Sequence, residues 1–146
     1  MIAGKLVRTL EQDLHRLAGL WMSDVRVYAK TPSYQHIPDE ALLEEAMEVY
    51  SSLALWLDER LLKDDLQRMF EARGENLNAQ GRRASEVIAA LQLMKRHIWF
   101  HVLSEGLLNT AVEIYQVLDL NNRVVLYFDR AVHSILRGYE FEPDHR

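Results

Sequence analysis

A chain of 146 residues is long enough for one domain with its own core. Lys plus Arg number 17 against 22 Asp plus Glu, and the formal net charge of −5 opposes a nucleic-acid role, because binding a phosphate backbone needs a basic face. Cysteine is absent, which excludes disulfides, thiolate metal sites and cysteine nucleophiles together and agrees with a reducing cytoplasm.

The opening MIAGKLVRTLEQDLHRL carries charges throughout, with none of the apolar core of a signal peptide. No later apolar run reaches the roughly 20 residues a membrane span requires. A soluble, cytoplasmic chain without membrane contact is expected. Val7, Leu10, Leu14, Leu17, Trp21 and Tyr28 follow a 3-4-3-4 spacing broken only by Asp24, which predicts a heptad seam on one long helix from Ile2 to Lys30. On this reading Leu10, Leu14, Leu17 and Trp21 form a dimerisation stripe.

Pro32 and Pro38 bracket the loop TPSYQHIP, and Asp39 is placed to cap a second helix. Over residues 40 to 58 the apolar Leu42, Leu43, Ala46, Val49, Tyr50, Leu53 and Leu57 share one side. Glu44, Glu45, Glu48 and Asp58 take the other, with Leu55 alone among the acids as an exposed contact candidate. A ferritin-type site needs Glu-x-x-His pairs, and these glutamates carry no histidine at that spacing, so they read as a solvated face.

A third pattern, Leu61-Leu62, Leu66 and Met69-Phe70, runs toward Gly74 and fades through ENLNAQG to Gly81, a helix-stop glycine. Arg82-Arg83 beyond it reads as a solvated loop. Ser85 is placed to cap a fourth helix, which holds MKRHIWFHVL at residues 94 to 103. Its two histidines are four apart, but Ile98 stands where a zinc protease has its glutamate base, so HIWFH fails that motif. His97 and His101 lie at the border of the face set by Val87, Ala90, Leu91, Met94, Ile98 and Val102. Packing residues are the first reading; axial ligation of haem, in a slot walled by Met94, Trp99 and Phe100, is the alternative.

Gly106 and Asn109-Thr110 predict a break before a short segment from Ala111 to Leu118. From about Asn121 a last helix stacks Val124, Phe128, Val132, Ile135 and Tyr139 on one stripe, with Gly138 and Pro143 ending it. Phe128 and Ile135 are the anchors through which this helix would carry a signal outward. Residues 1–140 are expected to form one domain and 141–146 a tail or linker stub. The fold class expected is all-α, a single-domain bundle of five to seven helices. No serine has a glycine elbow or assigned His and Asp partners, and neither GxGxxG nor a P-loop occurs, so no catalytic residue is named.

The succession of Trp21, LALWLDERLLKDDLQRMFEARGENLNAQGRRASEVIAALQLMKRHIWFHVL and a final amphipathic helix ending at GYE resembles the N-terminal domain of RsbRD-type proteins. The markers are the spacing of Gly74 and Gly81, then SEVIAAL, then Lys95, Arg96 and Trp99. The resemblance covers about Leu17 to Tyr139. It implies a globin-like, usually non-haem sensory domain of the bacterial stress response, a homodimer that regulates an output domain or partner. No output domain follows Arg146, so an excised input domain and a free-standing member are both open.

Overall fold

Six α-helices and one 3-10 turn make up the computed structural model, which describes residues 2–104 and 111–140, and the side chains of 4–100 and 114–140. In chain order they are α1 (Ile2–Gln12), α2 (Leu14–Val25), the 3-10 turn Pro32–His36, α3 (Asp39–Leu57), α4 (Lys63–Ala79), α5 (Ala84–Ser104) and α6 (Ala111–Tyr139). The all-α bundle expected from the spacing is what forms. The predicted break at Gly106 and Asn109-Thr110 lies outside the described residues.

The single long first helix is instead two. At Asp13 the backbone leaves helical geometry (φ −107°, ψ 20°), although Asp13 N still donates to Thr9 O and Leu17 N to Asp13 O. The bend lets α1 lie against α3 and α6 while α2 lies against α3 and α5. Leu10, Leu17 and Trp21 are therefore core residues at 1% exposure or less, and Leu14 is half-buried against that core. The heptad spacing reflects packing within the chain, so this stripe is not a free seam for a second copy. The loop after α2 is also more ordered than its prolines suggested. Thr31 Oγ1 donates to Val25 O (2.8 Å), and Arg26 donates to the carbonyls of Tyr34, Gln35 and Ile37 and to Asp39.

Helix α3 starts behind Pro38, with Asp39 and Glu40 in its first turn, where negative charge suits the helix dipole; Asp39 is not the cap. Likewise α5 begins at Ala84, and Ser85 lies exposed inside its first turn. The stop at Gly81 is as the sequence predicts. Its φ of 79° is left-handed, Gly81 N donates to Asn78 O (2.9 Å) and Arg82 N to Leu77 O (3.0 Å), the paired bonds of a Schellman end. Helix α3 ends the same way on a non-glycine residue, Glu59 at φ 59°, with Arg60 N donating to Leu55 O.

Aromatic side chains with a polar tip join the layers, each giving its one proton to a neighbouring helix's carbonyl. Trp21 Nε1 donates to Ala90 O (2.9 Å), Tyr50 OH to Met94 O (3.1 Å), Trp56 Nε1 to Arg123 O (3.2 Å) and Tyr127 OH to Val49 O (2.7 Å). Helix α6 is one unbroken helix through Asn121, not a short segment plus a final helix. The asparagines are tolerated because the buried stripe Val117, Leu120, Val124, Tyr127, Phe128, Ala131 and Ile135 continues across them.

The most extensive pairing in the molecule is α4 against α6. Two glycines make it close. A Cβ on Gly74 would stand 2.2 Å from Ile135 O and 3.1 Å from Gly138 Cα, and one on Gly138 would stand 2.2 Å from Glu71 O and 2.9 Å from Gly74 Cα. Gly138 thus sits inside the last turn of α6 as a contact residue rather than as its terminator.

Candidate functional site

Around the C-terminal end of α6 the chain gathers a cluster of partly buried charge. Arg82, just past the Schellman end of α4, forks onto Glu45 of α3, with Nη2 to Oε1 at 3.0 Å and Nη1 to Oε2 at 3.3 Å. Its guanidinium lies 4.7 Å from the centre of the Tyr34 ring, a cation-π contact. Arg73 of α4 pairs with Glu48 Oε2 (2.7 Å) and donates to Glu45 O (3.0 Å). Tyr139 OH, in the last residue of α6, donates to Arg82 O (2.7 Å), and Asn78 Nδ2 donates back to Tyr139 O (3.2 Å). Nearby, Ser33 gives both its N–H (2.8 Å) and its hydroxyl (2.7 Å) to Glu86 Oε1 in the first turn of α5.

The electrostatics follow from burial. Removal from water raises the Tyr34 phenol to about 12, with the Arg82 charge opposing the rise. Burial works against the charge on Arg82, but Tyr34 and Glu45 outweigh it and hold the guanidinium more firmly protonated than usual. An arginine so held neither gives nor takes protons; it fixes geometry. The end of α6 is thereby tied to α4 through Asn78, and to α3 and the 3-10 turn through Arg82, whose carbonyl accepts from Tyr139 while its guanidinium holds Glu45 and Tyr34.

Sequence reasoning placed Arg82 in a solvated loop and Glu45 and Glu48 on a solvated face. Only Glu44 of the three acids is unpaired among the described residues; Glu48 is exposed as expected, at 51%, but Arg82 and Glu45 keep only 12% and 19% side-chain exposure. Periodicity within α3 cannot report a partner that arrives from 37 residues away. The one available signal was that Gly81 reverses the chain and throws Arg82 back over the helix it follows.

His97 is 8% exposed, its ring meets Phe100 edge-on at 5.9 Å, and its Nε2 stands 2.7 Å from Asp24 Oδ2 in α2. The contact is close, but it lacks hydrogen-bond geometry, and Nε2 has no other partner among the described residues. For an axial haem ligand the arrangement fits poorly, since Asp24 faces the nitrogen a metal would need. The apolar void beside Ile98 and Trp99 measures about 10 Å³, room for one water. His101 is in α5, but its side chain lies outside the described residues. Phe128 and Ile135, the anchors of the last helix's stripe, are core residues at 2% and 1% exposure, while Leu55 is exposed at 37%. No group of three or more His, Asp or Glu able to hold a metal occurs among the described residues.

A comparison with protein families matches residues 15–145 to the RsbT co-antagonist protein rsbRD N-terminal domain. The chain belongs to that family. No curated protein and no solved structure matches it. The matched span begins in α2 and takes in the whole Arg82 cluster and the α4–α6 crossing. As a member of the rsbRD N-terminal family the chain is a stressosome-related regulatory domain, all-helical, and no helix among its described residues is long and apolar enough to cross a membrane.

Proposed function

We propose that this rsbRD-type domain is a non-catalytic, homodimeric signal-input module, and that α6 carries its output to a following domain or a regulatory partner by a small rearrangement against α4. The observation that carries the reading is the Gly74–Gly138 crossing, which holds the last turn of α6 backbone to backbone on α4 one residue before Tyr139 reaches Arg82. A contact so close has no side chains to give way, so a shift there moves the whole helix end, as in interfaces with two discrete packings.

For the dimer the supporting feature is the outward face of the first half of α6. Ile114, Tyr115 and Leu118 are 48% to 77% exposed within two turns, an apolar patch rather than scattered single residues, and Leu126 at 43% lies on the same side beyond Asn122. It replaces the α1–α2 stripe, which the core consumes. Light scattering at high micromolar concentration is expected to return twice the chain mass of 17.1 kDa, and Leu118→Glu to shift it to 17.1 kDa. A wild-type monomer would remove the dimer from the account.

The haem alternative has its own signature. Reconstitution with hemin is expected to give no sharp Soret band; a band lost in His101→Ala or in His97→Ala would make this domain a haem sensor.

A further inference from the structure

Between α4 and α6, on the far side of the crossing from Arg82's cluster, runs a groove of about 390 Å³. This is within the range of small-molecule sites, roughly 300 to 1,000 Å³. Its charged and hydroxyl-bearing lining is Lys63 from the first turn of α4 and Asp129, Arg130, His133, Ser134 and Arg137 from successive turns of α6. Three permanent cations thus face one carboxylate in a chain whose net charge is −5. Arg137 Nε is shared with Glu71 Oε1 at 3.2 Å, and Gln67 donates to the same oxygen at 2.9 Å. Arg130 is different. Its Nε is buried and has no hydrogen-bond partner among the described residues.

A buried guanidinium nitrogen without a partner is costly, and the cost falls when an anion supplies the missing acceptors. The N-terminal end of α4 adds the positive pole of a helix dipole beside Lys63, offset in part by Asp64 and Asp65 in the same turn, of which Asp65 is already paired with Arg68. A dianion answers three cations better than a single carboxylate does, and guanidinium groups match phosphate oxygens in a bidentate fork. Ser134 and His133 add side chains able to donate hydrogen bonds. Net acidity opposes a long polyanion but not one phosphate in a local basic groove.

We propose that this groove binds the phosphate group of a small phosphorylated metabolite, with Arg130 as the principal contact and Arg137 and Lys63 completing the charge. The binding is a property of the groove and does not depend on the regulatory reading. Since Asp129 to Arg137 belong to α6, however, an occupant held by Arg130 and Arg137 would span the two turns that lead up to the crossing at Gly138.

The test titrates the whole chain, by calorimetry, with adenosine monophosphate, inorganic phosphate, adenosine and hexaglutamate. Adenosine monophosphate and phosphate are expected to saturate at one equivalent and adenosine not to bind. Arg130→Gln should weaken adenosine monophosphate by at least about tenfold, as loss of a charge-assisted hydrogen bond does. Arg96→Gln, an exposed cation on α5, should leave it unchanged. Should Arg130→Gln fail to fold, exposed Lys63→Gln on the facing helix serves instead and is expected to weaken binding in the same sense. No saturable binding, adenosine binding as tightly as its monophosphate, equal losses in Arg96→Gln, or hexaglutamate binding more tightly than phosphate would each overturn the proposal.

Discussion

Tyr34 joins sequence, packing and charge in one side chain. It comes from a loop bracketed by prolines, yet it is 2% exposed, with Trp21 edge-on at 6.3 Å and Arg82 over its face. Burial raises its pKa from 10.0 to about 12, so the folded chain holds a proton that the unfolded chain has released between those values. The associated stability is complete below pH 10 and is lost as pH rises toward 12, at about 1.4 kcal/mol per pH unit for one group. Tyr50 and Tyr127, raised for the same reason, act in the same direction. Urea unfolding is therefore expected to show unchanged stability from pH 8 to 9.5 and a steep fall above pH 10. Tyr34→Phe should make that fall shallower. An unchanged slope in Tyr34→Phe would mean that the phenol is hydrated in the folded state.

At the scale of elements, α6 shows how a face is chosen. Phe128 is 2% exposed and meets Tyr127 edge-on at 5.2 Å, whereas the Arg137 side chain is 58% exposed and, among the described residues, pairs only with Glu71. Phe128→Ala is expected to cost about 3 to 5 kcal/mol as a core aromatic truncation. Arg137→Ala should cost within about 0.5 kcal/mol, since exposed ion pairs contribute little. Equal shifts of the urea midpoint would mean the face is misassigned. The apolar stripes of α3 and α6 and the glycine stop of α4 were legible because each is a local pattern of period or turn chemistry. The bend at Asp13 was not, because 3-4-3-4 spacing looks the same on one helix seam as on two short helices laid over α3. Nor was the role of Gly138, since a glycine near a helix end signals a stop, and only the arrival of Gly74 from α4 makes it a contact. Of the Arg82 cluster the sequence showed the residues but not the pairing.

In the whole molecule these features converge on the C-terminal end of the bundle. The first four helices and the 3-10 turn hold Tyr34, Glu45, Glu48, Arg73 and Gly74 in place; α6 runs the length of the fold and ends among them. A regulatory domain of the rsbRD N-terminal family built this way has one element whose end is locked by backbone contact and one proton from Tyr139. The central claim is that this lock sets the position of the output helix. Hydrogen exchange on Gly138→Ala measures it most directly, because the added methyl must push α6 off Glu71 and Gly74 at an overpacking cost of about 1 to 3 kcal/mol. With the chain still folded by circular dichroism, the account predicts exchange roughly 5- to 150-fold faster in the C-terminal halves of α4 and α6 together, with α2 and α3 unchanged. Exchange that stays at wild-type rates in both halves, or that rises evenly throughout the bundle, would contradict it.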